Sequence, residues 1–362
     1  MAVASTVFFS GAAFVCATWS YFWGLSAQGW LIAFALTASF ILSLFAAMRC
    51  SSPLLKALYT IAAVWLGLLN FWLFAALACW IAHGVAAVLG LGLGRPGIAA
   101  SLYGLGALAA ICGVANASWL RVTRMTVRLP NLPASWQNRE VVLVSDLHLG
   151  NVRGAGFMRR VAGKIASLKP HAIFISGDMF DGPKVDYDRM AAPCRELSAP
   201  AGVYFVTGNH EEYTGRAKYV AAIKKAGVRI IDNEKITADG LQIAGVHDSD
   251  ALEPESLRGI LAGMALDRSR ASILMAHRPA SLSIVDEAGI SLQLSGHTHR
   301  GQFWPWCWVI YKVHGPFAYG LNRKGNLQVV TSCGAGTWGP PMRVGTRSEI
   351  VLIRLEDAGG AV

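Results

Sequence analysis

Nine residues able to hold a metal ion or move a proton fall in five short blocks. They are Asp146 and His148 in "SDLHLG", Asp178 and Asp181 in "SGDMFDG", Asn209 and His210 in "TGNHEE", His277 in "MAHRP", and His297 and His299 in "SGHTHRGQ". Carboxylate, imidazole and amide oxygen together are the ligand mixture of borderline first-row transition cations, whereas magnesium or calcium would be served by oxygen alone. The blocks offer more ligands than one tetrahedral or octahedral ion needs once a water and a substrate oxygen are added. A carboxylate can bridge two ions, so the natural count is two. A histidine taken singly is more often structural than a ligand, but the ordered set reverses those odds for five of the nine histidines.

The elements that must position these residues are short apolar runs that stop where the polar residues begin. They read "EVVLVSD" (140–146), "HAIFISGD" (171–178), "GVYFVTGN" (202–209), "LQIAGVHD" (241–248), "ASILMAH" (271–277), "ISLQLSGH" (290–297), "LQVVTSCG" and "EIVLIRLE". Continuous apolar runs of this length are expected of strands covered on both faces. Helix-like stretches such as 157–168 and 216–226 alternate with the early ones, which predicts an α/β domain. The carboxyl ends of strands in such a sheet form the ligand crevice, so Asp146, Asp178, Asn209, His277 and His297 are expected to line one site. His83, His171, His247 and His314 match no block and read as structural or solvent-facing, although His247, beside Asp248 in "GVHDSD", could lie near the same crevice.

The blocks D-x-H, G-D-x-x-D, G-N-H-[DE], H and G-H-x-H, in this order, resemble the calcineurin-like metallophosphoesterase superfamily over about residues 140–356. Among its members, the bacterial phosphoesterases whose last block reads GHTHGGQ are the most similar. The resemblance implies a β-sandwich flanked by helices. It implies one divalent ion held by Asp146, His148, Asp178 and His299, and a second held by Asp178, Asn209, His277 and His297, with Asp178 as the bridge. Manganese, iron, zinc and nickel all suit such ligands. His210 would face the phosphate as general acid or transition-state stabiliser, and Asp181 would orient its neighbours. The implied reaction is in-line attack on phosphorus by a metal-activated hydroxide, with no protein nucleophile. In keeping with this, no G-x-S-x-G elbow is present, and the glycine-rich "GLGLGRPG" lacks the Lys-Ser/Thr of a P-loop. One residue departs from the pattern: Arg300 stands where those relatives carry glycine. It is expected to point outward from the turn, with contact to a phosphate oxygen as the alternative.

The first third of the chain is of another kind. Residues 1–120 contain no Asp or Glu, only Arg49, Lys56 and Arg95 as cations, and seven of the twelve tryptophans. Four apolar stretches, 7–25, 30–48, 57–82 and 97–119, each approach the roughly 20 residues a helix needs to cross a bilayer. The cations Arg49 and Lys56 after the second stretch, and Arg121, Arg124 and Arg128 after the fourth, place both loops and both termini in the cytoplasm. No C-x-x-C occurs among the seven cysteines, and the three beyond the membrane part read as reduced thiols. Beyond residue 120 the balance is 29 basic against 22 acidic residues. Without a Lys/Arg run this suits anionic headgroups or a phosphorylated substrate, and no nucleic-acid partner is expected.

The segment "FWPWCWVIYKVHGPFAYG" (303–320), crowded with aromatic residues, reads either as a buried β-hairpin or as a lip facing membrane or acyl chains. The sequence thus describes a multi-pass membrane domain (1–120), a linker (121–139), a metallophosphoesterase domain (140–356) and a tail (357–362). The expected function is hydrolysis of a phosphodiester, phosphomonoester or pyrophosphate bond, with membrane lipids and a phosphorylated small molecule or lipid-linked compound as partners. The alternative is a membrane sensor or transport component whose phosphoesterase-like domain binds metal without turnover.

Overall fold

The structure, a computed structural model, describes residues 2–182, 184–212 and 216–359. The chain forms two compact units, Met1–Ser118 with Gly339–Val344, and Trp119–Trp338 with Gly345–Val362.

The first unit contains helices α1 (Ala2–Phe22), α2 (Ala27–Ala47), α3 (Pro53–Val88) and α4 (Arg95–Ser118). Ser26 and Ser52 cap α2 and α3, each hydroxyl accepting from the amide three residues on, and Pro53 occupies the first turn of α3, where its missing N–H has no cost. All four helices are long and apolar enough to cross a membrane. The glycine-rich stretch after His83 does not break α3. The helix runs on to Val88 and ends where Gly90 turns to φ +66 and Leu91 N–H reaches back to the Ala86 carbonyl. Packing in this unit inverts the soluble pattern: Ala12, Ala62, Ala63, Ala76 and Ala99 are buried while Leu31, Leu42, Ile81 and Ile111 are exposed. Small residues let helix backbones approach, and large apolar side chains face outward, as in lipid. Hydrogen bonds such as Trp80 Nε1 to Thr18 Oγ1 (3.0 Å) and Tyr103 OH to the Val15 carbonyl (3.1 Å) tie the helices together.

Among the described residues the second unit has twelve strands: β1 (Leu120–Leu129), β2 (Glu140–Val144), β3 (Ala172–Ser176), β4 (Val203–Val206), β5 (Arg229–Ile230), β6 (Glu234–Ala238), β7 (Leu241–Gly245), β8 (Ser272–Met275), β9 (Leu292–Ser295), β10 (Gly320–Lys324), β11 (Leu327–Thr331) and β12 (Ser348–Asp357). They form two six-stranded sheets, in the orders β1-β12-β2-β3-β4-β5 and β10-β11-β9-β8-β7-β6. Within them β2, β3 and β4 run parallel, as do β7, β8 and β9. Alternation along the strands explains the layers. Val141 and Leu143 point into a core between the sheets with Phe174, Ile243, Ile273 and Leu294, while Val142 and Val144 join the outer core beneath the helix Ala155–Leu168. A third core lies under the helix Pro254–Gly263 on the outer face of the other sheet. This is the expected sandwich flanked by helices.

Two expectations need correction. Residues 121–139, read as a linker, begin with β1, which pairs in parallel with β12 along its whole length, Leu120 opposite Ser348 and Leu129 opposite Asp357. The alternation was visible in the sequence, with Met125, Val127 and Leu129 on one face and Arg124, Thr126 and Arg128 exposed on the other. The strand gives this segment its order, since its backbone groups are held by β12. The aromatic segment 303–320 is no hairpin: its centre is the helix Trp306–His314, in which no residue is buried. Of the tail 357–362, residues 360–362 lie outside the described residues.

Candidate metal centre

The five blocks follow five strands. Asp146 stands two residues past β2, Asp178 two past β3, Asn209 three past β4, His277 two past β8 and His297 two past β9. The first three strands belong to one sheet and the last two to the other. The site therefore lies where both sheets of the sandwich end rather than in the crevice of a single open sheet. The turns are tight: Asp146, His148, Asp178, His297 and His299 all have φ between +46 and +70. A left-handed residue other than glycine costs on the order of 1 kcal/mol and persists only where the surroundings impose it. Such residues here are five of the seven expected ligands. Gly208 and Gly296 have the complementary role. A Cβ on Gly208 would collide with Asp178, and one on Gly296 with Asp146 and Ser145, so the backbone passes directly behind the carboxylates.

Seven side chains converge in two groups. Asp146, His148 and His299 offer ligand atoms within 4.8 Å of one another, and so do Asp178, His277 and His297. In the first group His148 Nε2 and His299 Nε2 are 3.0 Å apart, and His299 Nε2 is 3.4 Å from Asp146 Oδ1. In the second, His277 Nε2 is 3.2 Å from Asp178 Oδ2. The same Asp178 Oδ2 is 3.8 Å from His148 Nε2, so it lies between the groups. Asn209 completes the set, its Oδ1 buried without a hydrogen-bond partner among the described residues.

These residues fit metal ions on three observations. His277 Nδ1 donates to the Ser176 carbonyl at 2.7 Å, which leaves Nε2 as the lone-pair nitrogen directed at the centre. That Nε2 and Asn209 Oδ1 are buried acceptors with no hydrogen bond, a state that is costly unless a cation satisfies them. Two histidine nitrogens 3.0 Å apart in a buried site need a shared proton or a shared cation. Charge runs the same way. Burial alone would lower the His277 pKa, but the Asp178 charge raises it to about 10, so the ring takes up a proton when no cation is there to replace it. Burial drives His148 down to about 4 and His297 to about 2, keeping both rings neutral and able to ligate. Burial pushes Asp146 up to about 6. Asp178, which burial would also raise, is held well below the usual carboxylate range by His277 and His148.

Beside the first group His210 Nδ1 sits 3.2 Å from Asp181 Oδ1, with its ring edge-on to His148 at 4.7 Å between centroids. The backbone N–H of His210 donates to Asp178 Oδ1 at 2.9 Å. Burial lowers its pKa, but the bond to Asp181 outweighs this and the net shift is upward. Glu211 was given no role from the sequence, although it fills the acidic position of "TGNHEE". Fully buried, it accepts from the amides of Asp178, Met179, Phe180 and Gly208 at 2.8 to 3.1 Å and so fastens two ligand loops together. Burial and the Asp178 charge push its carboxyl up to about 8 against the pull of those four donors.

The sequence profile of the calcineurin-like phosphoesterases matches residues 140–301. An uncharacterized metallophosphoesterase of Aquifex aeolicus is 30% identical over 254 residues, which cover 67% of this chain and 94% of that protein. The chain belongs to the calcineurin-like phosphoesterase family. Two other relatives of that family are an uncharacterized metallophosphoesterase of Campylobacter jejuni (30% identical, covering 65% of this chain and 63% of its own) and a "transmembrane protein with metallophosphoesterase domain" of Danio rerio (31%, covering 70% and 61%). The chain spans about three-fifths of the length of these two. With the four apolar helices, the second likeness supports association with a membrane.

Residues outside the phosphoesterase blocks fall into place beside them. Arg300 is exposed, as expected, and its guanidinium lies over the Tyr319 ring, 4.6 Å from the centroid. His247 is not among the ligand groups: it is buried, with Nε2 2.6 Å from Glu212 Oε1 and Nδ1 2.9 Å from Ser249 Oγ. Asp248 is paired with Arg278 at 3.0 Å. His314, read as structural or solvent-facing, packs its ring against His297 with centroids 6.3 Å apart, a proximity no local pattern announced because it depends on the helix Trp306–His314.

Proposed function

We propose that this family member is a membrane-anchored phosphoesterase that uses two divalent cations to hydrolyse a phosphodiester, phosphomonoester or pyrophosphate bond, on a lipid-linked substrate among those classes. The observation that carries the reading is the position of Asp178 Oδ2, within 3.2 Å of His277 Nε2 and 3.8 Å of His148 Nε2, one histidine from each ligand group. Asp146, His148, Asp178 and His299 would hold one ion, and Asp178, Asn209, His277 and His297 the other. When bound, the paired cations lower the pKa of water toward ~7 and draw charge from the phosphoryl oxygens. The protein's own groups then supply position and protons. Glu211 keeps the Asp178 and Asn209 loops in register. The His277 ring is aimed by the Ser176 carbonyl. His210, kept protonated to higher pH by Asp181, would donate from its ring to the leaving oxygen or to the charge that grows on phosphorus. No residue of the blocks is needed as a nucleophile.

Full chain in detergent, assayed on mono- and diesters and a pyrophosphate with manganese, iron, zinc or nickel, is expected to turn over at least one class and to lose that activity on chelation. Metal binding without turnover of any class would favour the sensor alternative. Arg49 and Lys56 after the second helix, with Arg121, Arg124 and Arg128 after the fourth, support a cytoplasmic catalytic domain. A reporter fused after Val362 is accordingly expected to read as cytoplasmic, and periplasmic alkaline phosphatase activity of that fusion would reverse the orientation.

A further inference from the structure

We infer that the helix Trp306–His314, with the turn before it, is a docking surface for the headgroup region of a bilayer containing anionic lipid, set at the rim of the metal centre. The helix is two-sided. Cys307, Ile310 and His314, spaced three and four residues apart, form a half-buried row that seats it on the sheet domain. The opposite side shows Trp306, Trp308, Val309, Tyr311 and Val313 to solvent, Trp308 at 64% and Val313 at 69% exposure, with Trp304 extending the patch. Short helices with one apolar, tryptophan-bearing side and basic neighbours lie in the plane of the membrane interface, where an indole or phenol is half in apolar surroundings and half wet.

The charge around the patch identifies the partner. From residue 288 to residue 348 the chain has no Asp or Glu and six Lys or Arg, the second such stretch after residues 1–139. Of these, Lys312 on the helix and Arg300 in the turn before it are exposed, while Arg323 and Lys324 lie at the other end of β10, opposite Gln328 and Leu327. A segment of residues 299–314 with exposed tryptophans, two exposed cations and no carboxylate of its own suits an anionic lipid surface. Topology agrees. Leu120 pairs with Ser348, and β12 then pairs antiparallel with β2, so the chain enters the sandwich at the end that carries Asp146. The surface also reaches the chemistry, because His314 at the end of the helix meets His297. Phosphate groups at headgroup depth would then be level with the ligands. This inference goes beyond the hydrolytic reading and stands whether or not the centre turns over.

Lipid contact can be read directly in full chain reconstituted into phosphatidylcholine vesicles with and without phosphatidylglycerol. The photoreactive p-azidophenylalanine replaces Trp308 in one sample and, as a control, exposed Gln137 at the far end of β2 in another. The expected result is phospholipid adducts at 308, none at 137, and a loss of adduct when phosphatidylglycerol is left out. Adducts with water only, cross-links to a second copy of the chain, or equal lipid labelling at both positions would overturn the docking surface. Labelling at 308 that does not depend on phosphatidylglycerol would overturn its anionic character. Hydrolytic activity is not the readout, so failure here is distinguishable from failure of the proposed reaction.

Discussion

In one half of the metal centre His277 is held from behind by the Ser176 carbonyl and faces a single carboxylate. In the other half His148 has its Nδ1 buried without a hydrogen-bond partner among the described residues, shares its Nε2 contact with His299 and carries the His210 ring edge-on to its own. Both halves use one carboxylate and two histidines, yet they are prepared for different tasks. The His277 ring is oriented without an ion. The His148 ring has no such hold on its Nδ1 among the described residues, and the His210 ring, paired with Asp181, packs against it. Ligand type therefore sets which ions can enter, while the groups behind the ligands set which half meets the leaving group. Asp178 belongs to both halves, and substitutions can separate them.

The largest effect is expected at Asp178. Asp178→Asn should abolish turnover and lower occupancy of both ions, measured as activity together with metal content. Two tightly bound ions retained in that variant would show that the halves do not share this residue. Next comes His210→Ala, which should keep both ions and cost about 10² to 10⁴ in rate. The loss should be smaller for a nitrophenolate leaving group, which needs no proton, than for an alkoxide. Equal losses would move His210 from acid to electrostatic stabiliser, and no loss on either substrate would remove it from the reaction.

A smaller effect sharpens the same contrast. The Asp181 bond raises the His210 pKa against burial, so the protonated ring survives to higher pH and activity should fall on the alkaline side as it is lost. Asp181→Asn removes that support and should move the alkaline limb of the kcat profile to lower pH, whereas an unmoved limb would show that another group sets it. The smallest effect is expected at Arg300, whose exposed guanidinium sits on the Tyr319 ring. Arg300→Gly, which restores the residue of the GHTHGGQ relatives, should leave turnover unchanged and alter stability by no more than about 1 kcal/mol. A marked rise in KM would place Arg300 on the substrate.

The sequence disclosed the centre because chemistry constrained it residue by residue: each ligand had to stand at the end of an apolar run, and Asp146, Asp178, His277 and His297 do so within two residues of their strands. It disclosed four helices because a bilayer-length apolar stretch has few other readings. What it concealed depended on partners distant in the chain. β1 is ordered by β12 more than two hundred residues away, and its three arginines drew attention to charge rather than to alternation. Glu211 reads as an ordinary surface acid until four amides from two loops are found around it. The aromatic segment has apolar residues at nearly every position, so neither helix nor strand periodicity stood out, and the row Cys307, Ile310 and His314 became visible only once one side was seated.

The central claim is that one buried cluster holds two ions that meet at Asp178 and can be removed separately elsewhere. Elemental analysis of the purified full chain, saturated with a single transition metal and then desalted, tests it most directly when run beside His299→Ala. The account predicts two ions per chain in the parent protein and one in the variant. One ion in the parent, or none lost on removing His299, would contradict it.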